Sequence, residues 1–192
     1  MREKDYSLSF VRFIAMLMIV FCHIFQYFDS WIAQFLNVGV QMFLFLSGYL
    51  HANRNDNRLL FLFKKTKRLL LDYYVYLVPV LMIIMSYNII NMSYKDAVNL
   101  LTLSGTIHEL GHLWFVPTIL VCYFLTPLFW DILDSDYSRR PIFLFCIVNI
   151  VVFVFFQMVL KCSIKPAWII CYFLGMFVHN IYIYISRRLL AY

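Results

Sequence analysis

Six stretches of this chain, 7–28, 32–52, 69–90, 113–130, 141–160 and 166–186, run for 18 to 22 residues with almost no charge. At about 1.5 Å of rise per helical residue, each is long enough to cross the roughly 30 Å hydrocarbon core of a bilayer. Lipid offers the backbone no hydrogen bonds, so a span must satisfy its own N–H and C=O groups, which leaves helices or a closed barrel. Barrel strands alternate apolar and polar side chains, and these stretches do not. The chain therefore reads as all-α, a polytopic membrane helix bundle of six transmembrane helices forming a single domain over 1–192. Its 64% hydrophobic, 20% aromatic and 14% charged composition excludes an ordinary soluble domain.

Basic residues set the expected orientation. With the N-terminus inside, the cytoplasmic side holds Arg2, Lys4, Arg54, Arg58, Lys64, Lys65, Lys67, Arg68, Arg139, Arg140, Arg187 and Arg188. The outer side holds only Lys95, Lys161 and Lys165. That asymmetry predicts N-in and C-in, a multi-pass protein of the cell membrane. It also accounts for the net charge of +6 as a topology signal, so no nucleic-acid partner is expected. The first stretch is too long, and carries Arg12 too deep, for a cleaved signal peptide. Cys22, Cys122, Cys146 and Cys171 fall inside spans and Cys162 in a short loop, a distribution that predicts no disulfide framework.

Arg12 and His23 give the first span its chemistry. Eleven helical steps of about 100° bring the two side chains to within roughly 20° of one another, some 16 Å apart along the axis. Ionisable groups at such depths cost free energy unless they meet a partner or a polar cavity, so they point to a function. In the second span, Val38-Gly39-Val40-Gln41-Met42-Phe43-Leu44-Phe45-Leu46-Ser47-Gly48-Tyr49-Leu50 places Gly39, Ser47 and Gly48 where small side chains let a helix or a ligand approach the backbone. Six positive charges from Arg54 to Arg68 then precede the third span; they suit either phosphate groups or anionic lipid, with Arg68 closest to the membrane. His112-Leu113-Trp114-Phe115-Val116-Pro117 opens the fourth.

Taken in order, these four motifs resemble the acyltransferase 3 family of integral membrane acyltransferases, most clearly over residues 5–130. The family's first helix carries an arginine, ten residues and a histidine; its second a glycine-valine, aromatic, serine-glycine-aromatic pattern; its fourth a histidine-leucine-tryptophan-phenylalanine signature. The resemblance implies an acyltransferase that takes an acetyl or other short acyl group from cytoplasmic acyl-coenzyme A, acetyl-coenzyme A above all, and passes it to a hydroxyl of a cell-envelope or exported carbohydrate. It implies catalytic roles for His23 and Arg12, and substrate or donor contacts for Arg68, Ser47, Gly48, His112 and Trp114. In the N-in orientation His112 lies on the outer side that His23 approaches, so the two imidazoles are expected to flank one outward-facing site.

The chain departs from the family pattern in three places. Ser9 stands where an aspartate is common, Asp72 where a proline is common, and the family runs to more spanning helices than six. The expectation is a short or truncated member, which leaves open a catalytically incomplete scaffold or partner subunit, alone or in an oligomer. A separate reading comes from His108-Glu109-Leu110-Gly111-His112, which fits the H-E-x-x-H pattern of zinc proteases. No third ligand accompanies it, because Asp131, Asp134 and Asp136 fall on the opposite membrane face, so no metal is expected. His51 reads as an interfacial residue and His179 as a packed one.

Overall fold

A computed structural model describes residues 6–52, 57–87, 92–103, 107–133, 166–189 and positions 147, 150, 151 and 154. The described residues form helices α1 (Tyr6–Tyr27), α2 (Ile32–Leu36), α3 (Val38–His51), α4 (Arg58–Tyr87), α5 (Tyr94–Leu101), α6 (Phe115–Leu133) and α7 (Pro166–Leu189), with a 3₁₀ segment over His108–Trp114. Among the described residues, five segments are long and apolar enough to cross a membrane: Tyr6–Tyr27, Ile32–His51, Arg58–Tyr87, Leu110–Leu133 and Ala167–Ser186. These correspond to five of the six expected spans; the remaining one, 141–160, lies largely outside the described residues.

Two boundaries differ from the sequence reading. The basic stretch before the third span, expected as a loop, is helical from Arg58 onward. Asn57 starts it: its side-chain oxygen accepts from the Leu59 N–H at 3.3 Å and its carbonyl from the Phe61 N–H at 2.8 Å. Leu, Lys and Arg are good helix formers, so the run continues once nucleated. The outer loop at 91–112 contains α5, begun by a capping box. Ser93 Oγ accepts from the Asp96 N–H, and the Asp96 carboxylate accepts from the Ser93 N–H at 3.0 Å and hydroxyl at 2.7 Å.

The chain divides into two compact units, separated within α6 at Pro127–Leu128. The first holds α1 to α3, α7 and the end of α6. Here α3 is approached closely on two sides. A Cβ at Gly39 would stand 2.7 Å from Met18 Cβ and 2.8 Å from the Ala15 carbonyl oxygen of α1. A Cβ at Gly48 would collide with the Tyr172 carbonyl of α7, and one at Gly175 of α7 with the Phe45 carbonyl of α3. Small residues thus let α3 and α7 meet backbone to backbone, the means by which helices associate where lipid supplies no hydrophobic drive. Around this contact Leu44, Ile169, Tyr172, Phe173 and Met176 are fully buried. Phe129 stacks on Phe173 with centroids 3.7 Å apart.

α1 ends in a Schellman motif. The Ser30 N–H donates to Phe25 O and the Asp29 N–H to Gln26 O, with Asp29 at φ 48°. Aspartate tolerates this left-handed conformation, and the reversal carries the chain into α2 beside α1. Cys22 Sγ then donates to the Ala33 carbonyl at 3.2 Å.

The second unit packs α4 against α5 and the 3₁₀ segment. Tyr73, Leu77, Leu81 and Ile84 form one face of α4 and bury against Leu100, Leu110 and Leu113. Tyr73 and Tyr74 donate their hydroxyls to the Leu100 and Leu101 carbonyls at 2.6 and 2.9 Å. These are among the last carbonyls of α5, which have no partner within a helix.

Two outcomes follow. Gly48→Ala should lower thermal stability in detergent by about 1–3 kcal/mol through overpacking against α7, whereas Gly111→Ala, which meets open space, should not. The side-chain hydrogen bond from Ser93, followed by its backbone N–H, holds the Asp96 carboxyl below its usual pKa. A carboxyl with a depressed folded-state value stabilises above the unfolded value of about 3.9 and loses that contribution as pH falls through the folded value. Amide exchange in the first turn of α5 should therefore be protected at neutral pH and lose protection below about pH 4, a loss that Asp96→Asn removes by abolishing the titration.

Candidate functional site

Helix α1 runs unbroken through both Arg12 and His23. Its buried residues are Ala15 and Cys22, a stripe directed at its neighbours. At about 100° per residue, Arg12 and His23 lie roughly 60° and 80° round from Ala15 in the same sense, so both flank one edge of that stripe. Arg12 is half-buried, its guanidinium carbon 5.4 Å from the centroid of the Phe43 ring on α3. The contact is a cation–π interaction, favourable where water is scarce, and it joins the α1 cation to the helix that carries Ser47 and Gly48. Phe43 stands four residues, about one turn, before Ser47.

His23 is exposed, with Nδ1 3.1 Å from Gln26 Oε1. When Nδ1 carries the ring hydrogen, it donates to that amide oxygen. Gln26 follows His23 by three residues, and i,i+3 positions are neighbours on a helix. Ser47 is buried, and Gly48 is filled against by the Tyr172 backbone of α7, so in this fold both stand inside the helix contact.

Nearby in the same unit, the Trp130 indole N–H donates to the His51 carbonyl at 2.8 Å, and His51 Nδ1 is 3.1 Å from the Tyr172 hydroxyl. Asn180 donates to the Leu133 carbonyl at 2.9 Å, and His179 stands edge-on to Tyr49 with centroids 4.6 Å apart. His51 and His179 are thus engaged in holding α3, α6 and α7 together. Neither needs a catalytic role to account for its position.

Arg68, His112 and Trp114 belong to the second unit. Arg68 is exposed on α4. Eight residues further along the same helix, about 12 Å, Tyr76 places its hydroxyl 3.3 Å from His112 Nε2. Their rings meet at 5.9 Å. Trp114 is half-buried and packs edge-on against Phe115. Sequence reasoning passed over Tyr76, whose partner is 36 residues away. Gln26 carried a local signal, its i,i+3 spacing from His23, and Phe43 carried none.

The H-E-x-x-H pattern loses its geometry in this fold. Zinc binding by that motif needs two histidines one α-helical turn apart. Here His108–Trp114 is 3₁₀, with Leu110 off helical geometry at φ −111° and ψ 29°. Positions four apart in a 3₁₀ helix are about 120° apart round the axis. Among the described residues no three His, Cys, Asp or Glu side chains are grouped to hold a metal. Cys22, Cys122 and Cys171 are free thiols.

Comparison with known proteins adds the family. Curated proteins and solved structures gave no match. A family model described as an acyltransferase domain, acyltransferase 3, matches residues 5–192. The match takes in α1 with its arginine and histidine and continues through α7, past the four motifs that first carried the resemblance. With nearly the whole length matched and an all-helical, membrane-type fold beneath it, the chain belongs to the acyltransferase 3 family.

Proposed function

We propose that this protein is a membrane acyltransferase that moves an acetyl or similar short acyl group from cytoplasmic acyl-coenzyme A to a hydroxyl of a cell-envelope or exported carbohydrate. The observation that carries the proposal is the placement of Arg12 and His23 on one edge of an unbroken α1, beside α3. Family membership supports the reaction class. The donor, the acceptor and the residue roles are this reading's own.

His23 acts as general base. Its Nε2 takes the proton of the acceptor hydroxyl as that oxygen attacks the thioester carbonyl carbon. The carbon–sulfur bond then breaks, the electron pair leaves with the coenzyme A sulfur, and the imidazolium returns the proton to the thiolate. An imidazole suits the task because its ordinary pKa, about 6.5, lies near working pH. Gln26, beside Nδ1, favours the tautomer with hydrogen on Nδ1 when its amide oxygen faces the ring.

Arg12 serves as a fixed positive charge. The thioester must lie beside His23, and roughly 16 Å of helix separates the two residues, so the guanidinium suits a phosphate of the donor better than the reacting carbonyl. Phe43 beneath it holds the guanidinium plane without neutralising it. Arg68, His112 and Trp114 have their roles in this reading from the family resemblance.

Membranes containing the protein, supplied with radiolabelled acetyl-coenzyme A, should transfer label to a glycan fraction. His23→Ala should reduce transfer by about 10²–10⁴-fold while inserting normally. Arg12→Lys keeps the charge and loses the planar fork, so it should raise KM for the donor with less effect on kcat. Wild-type turnover in the His23 variant would remove the base from the mechanism.

A further inference from the structure

Tyr76 and His112 meet because the chain turns back along α4. Tyr73 and Tyr74 hold the Leu100 and Leu101 carbonyls, and Tyr73 stands about 21 Å before the end of α4 at Tyr87, so the chain has returned that far by the end of α5. The 3₁₀ segment then packs on the same helix. Leu110 and Leu113 bury among Leu77, Leu81 and Ile84, and His112 between them reaches Tyr76. The two leucines carry the packing. Tyr76 and His112 are both exposed, Tyr76 to 45%, yet its hydroxyl lies 3.3 Å from Nε2 and the rings stand edge-on at 5.9 Å. Whichever atom carries the proton, one hydrogen bond forms, either phenol O–H to a bare Nε2 or Nε2–H to the phenol oxygen. It holds the imidazole in one orientation.

Ordering an exposed side chain costs rotamer entropy that burial does not offset there. A ligand gains from that order, because a side chain already held need not be immobilised when it binds. The chemistry of the pair selects the ligand. Imidazole and phenol exchange hydrogen bonds with a hydroxyl, and their rings, like those of Trp114 and Phe115 just after His112, offer apolar surface. A sugar presents both kinds of surface, hydroxyl edges and C–H faces, whereas a phosphate is better matched by the guanidinium of Arg12 or Arg68. We infer that Tyr76 is a positioning residue of the transferase: it fixes the His112 imidazole, which holds a non-reacting hydroxyl of the carbohydrate acceptor. The inference rests on the acyl-transfer reading and assigns the acceptor contact within it.

The test measures transfer from radiolabelled acetyl-coenzyme A to the glycan fraction of membranes carrying the full chain. Tyr76→Phe keeps the ring and removes the hydroxyl. It should lower turnover at saturating acetyl-coenzyme A about 3–10-fold, the effect of one hydrogen bond, and leave KM for acetyl-coenzyme A unchanged. Tyr74→Phe removes the neighbouring hydroxyl, whose partner is the Leu101 carbonyl, and should transfer as the wild type does. In a His112→Ala background Tyr76→Phe should have no further effect, because the group it positions is gone. Undiminished transfer by Tyr76→Phe would overturn the inference. Equal losses in the Tyr74 and Tyr76 variants would overturn it by making the pair a tether between segments, and a further loss in the His112→Ala background would do so by showing an effect that bypasses His112. A raised KM for acetyl-coenzyme A in Tyr76→Phe would overturn it in favour of a donor contact. Absence of transfer by the wild type is a different result: it would remove the acyl-transfer reading, and this inference with it.

Discussion

The close approach of backbones at α3 is the constraint on which the first unit depends. Gly39 admits α1, and Gly48 with Gly175 of α7 admits the third helix, so α3 is gripped from two directions. In lipid, apolar side chains gain little by leaving one hydrocarbon environment for another, and association relies on van der Waals contact and hydrogen bonds at short range. That approach brings Phe43 under Arg12. Without it, α1 would present its arginine to hydrocarbon with no ring beneath the charge.

The same logic governs the polar side chains. Tyr73, Tyr74, Trp130 and Asn180 each donate to a backbone carbonyl near the end of a helix. Carbonyls in a helix's last turn lack intrahelical partners, and near a bilayer an unsatisfied one costs more than in water. The aromatic richness of the chain therefore has a structural use beyond interfacial anchoring. It closes the ends of helices that differ in length.

Much of this was legible in the sequence because spanning length is a coarse and strong signal. The unbroken run from Tyr6 to Tyr27, and with it the shared edge of Arg12 and His23, follows from spacing alone. Gly39 and Gly48 read correctly as places where a backbone comes close, yet nothing local reveals that Ala15 of α1 and Tyr172 of α7 are what meets them. The start of α4 was misplaced because charge was read as loop, although Leu59, Leu62, Phe63, Thr66 and Leu70 hold helical spacing through the basic residues. α5 was missed because eight residues with one capping box give too short a periodic pattern to stand out. The Tyr76–His112 pair depends on where two distant segments meet, which periodicity does not encode.

The central claim is that one edge of α1 faces water within the membrane while its back faces lipid. Single cysteines placed at 12 and 23, and at the exposed positions 13 and 24 on the back of the helix, test it in a chain whose native cysteines are replaced by serine. In sealed proteoliposomes given a water-soluble thiol reagent on both sides, positions 12 and 23 should react while 13 and 24 stay protected. Equal protection at all four positions would mean that Arg12 and His23 line no passage, and would contradict the account.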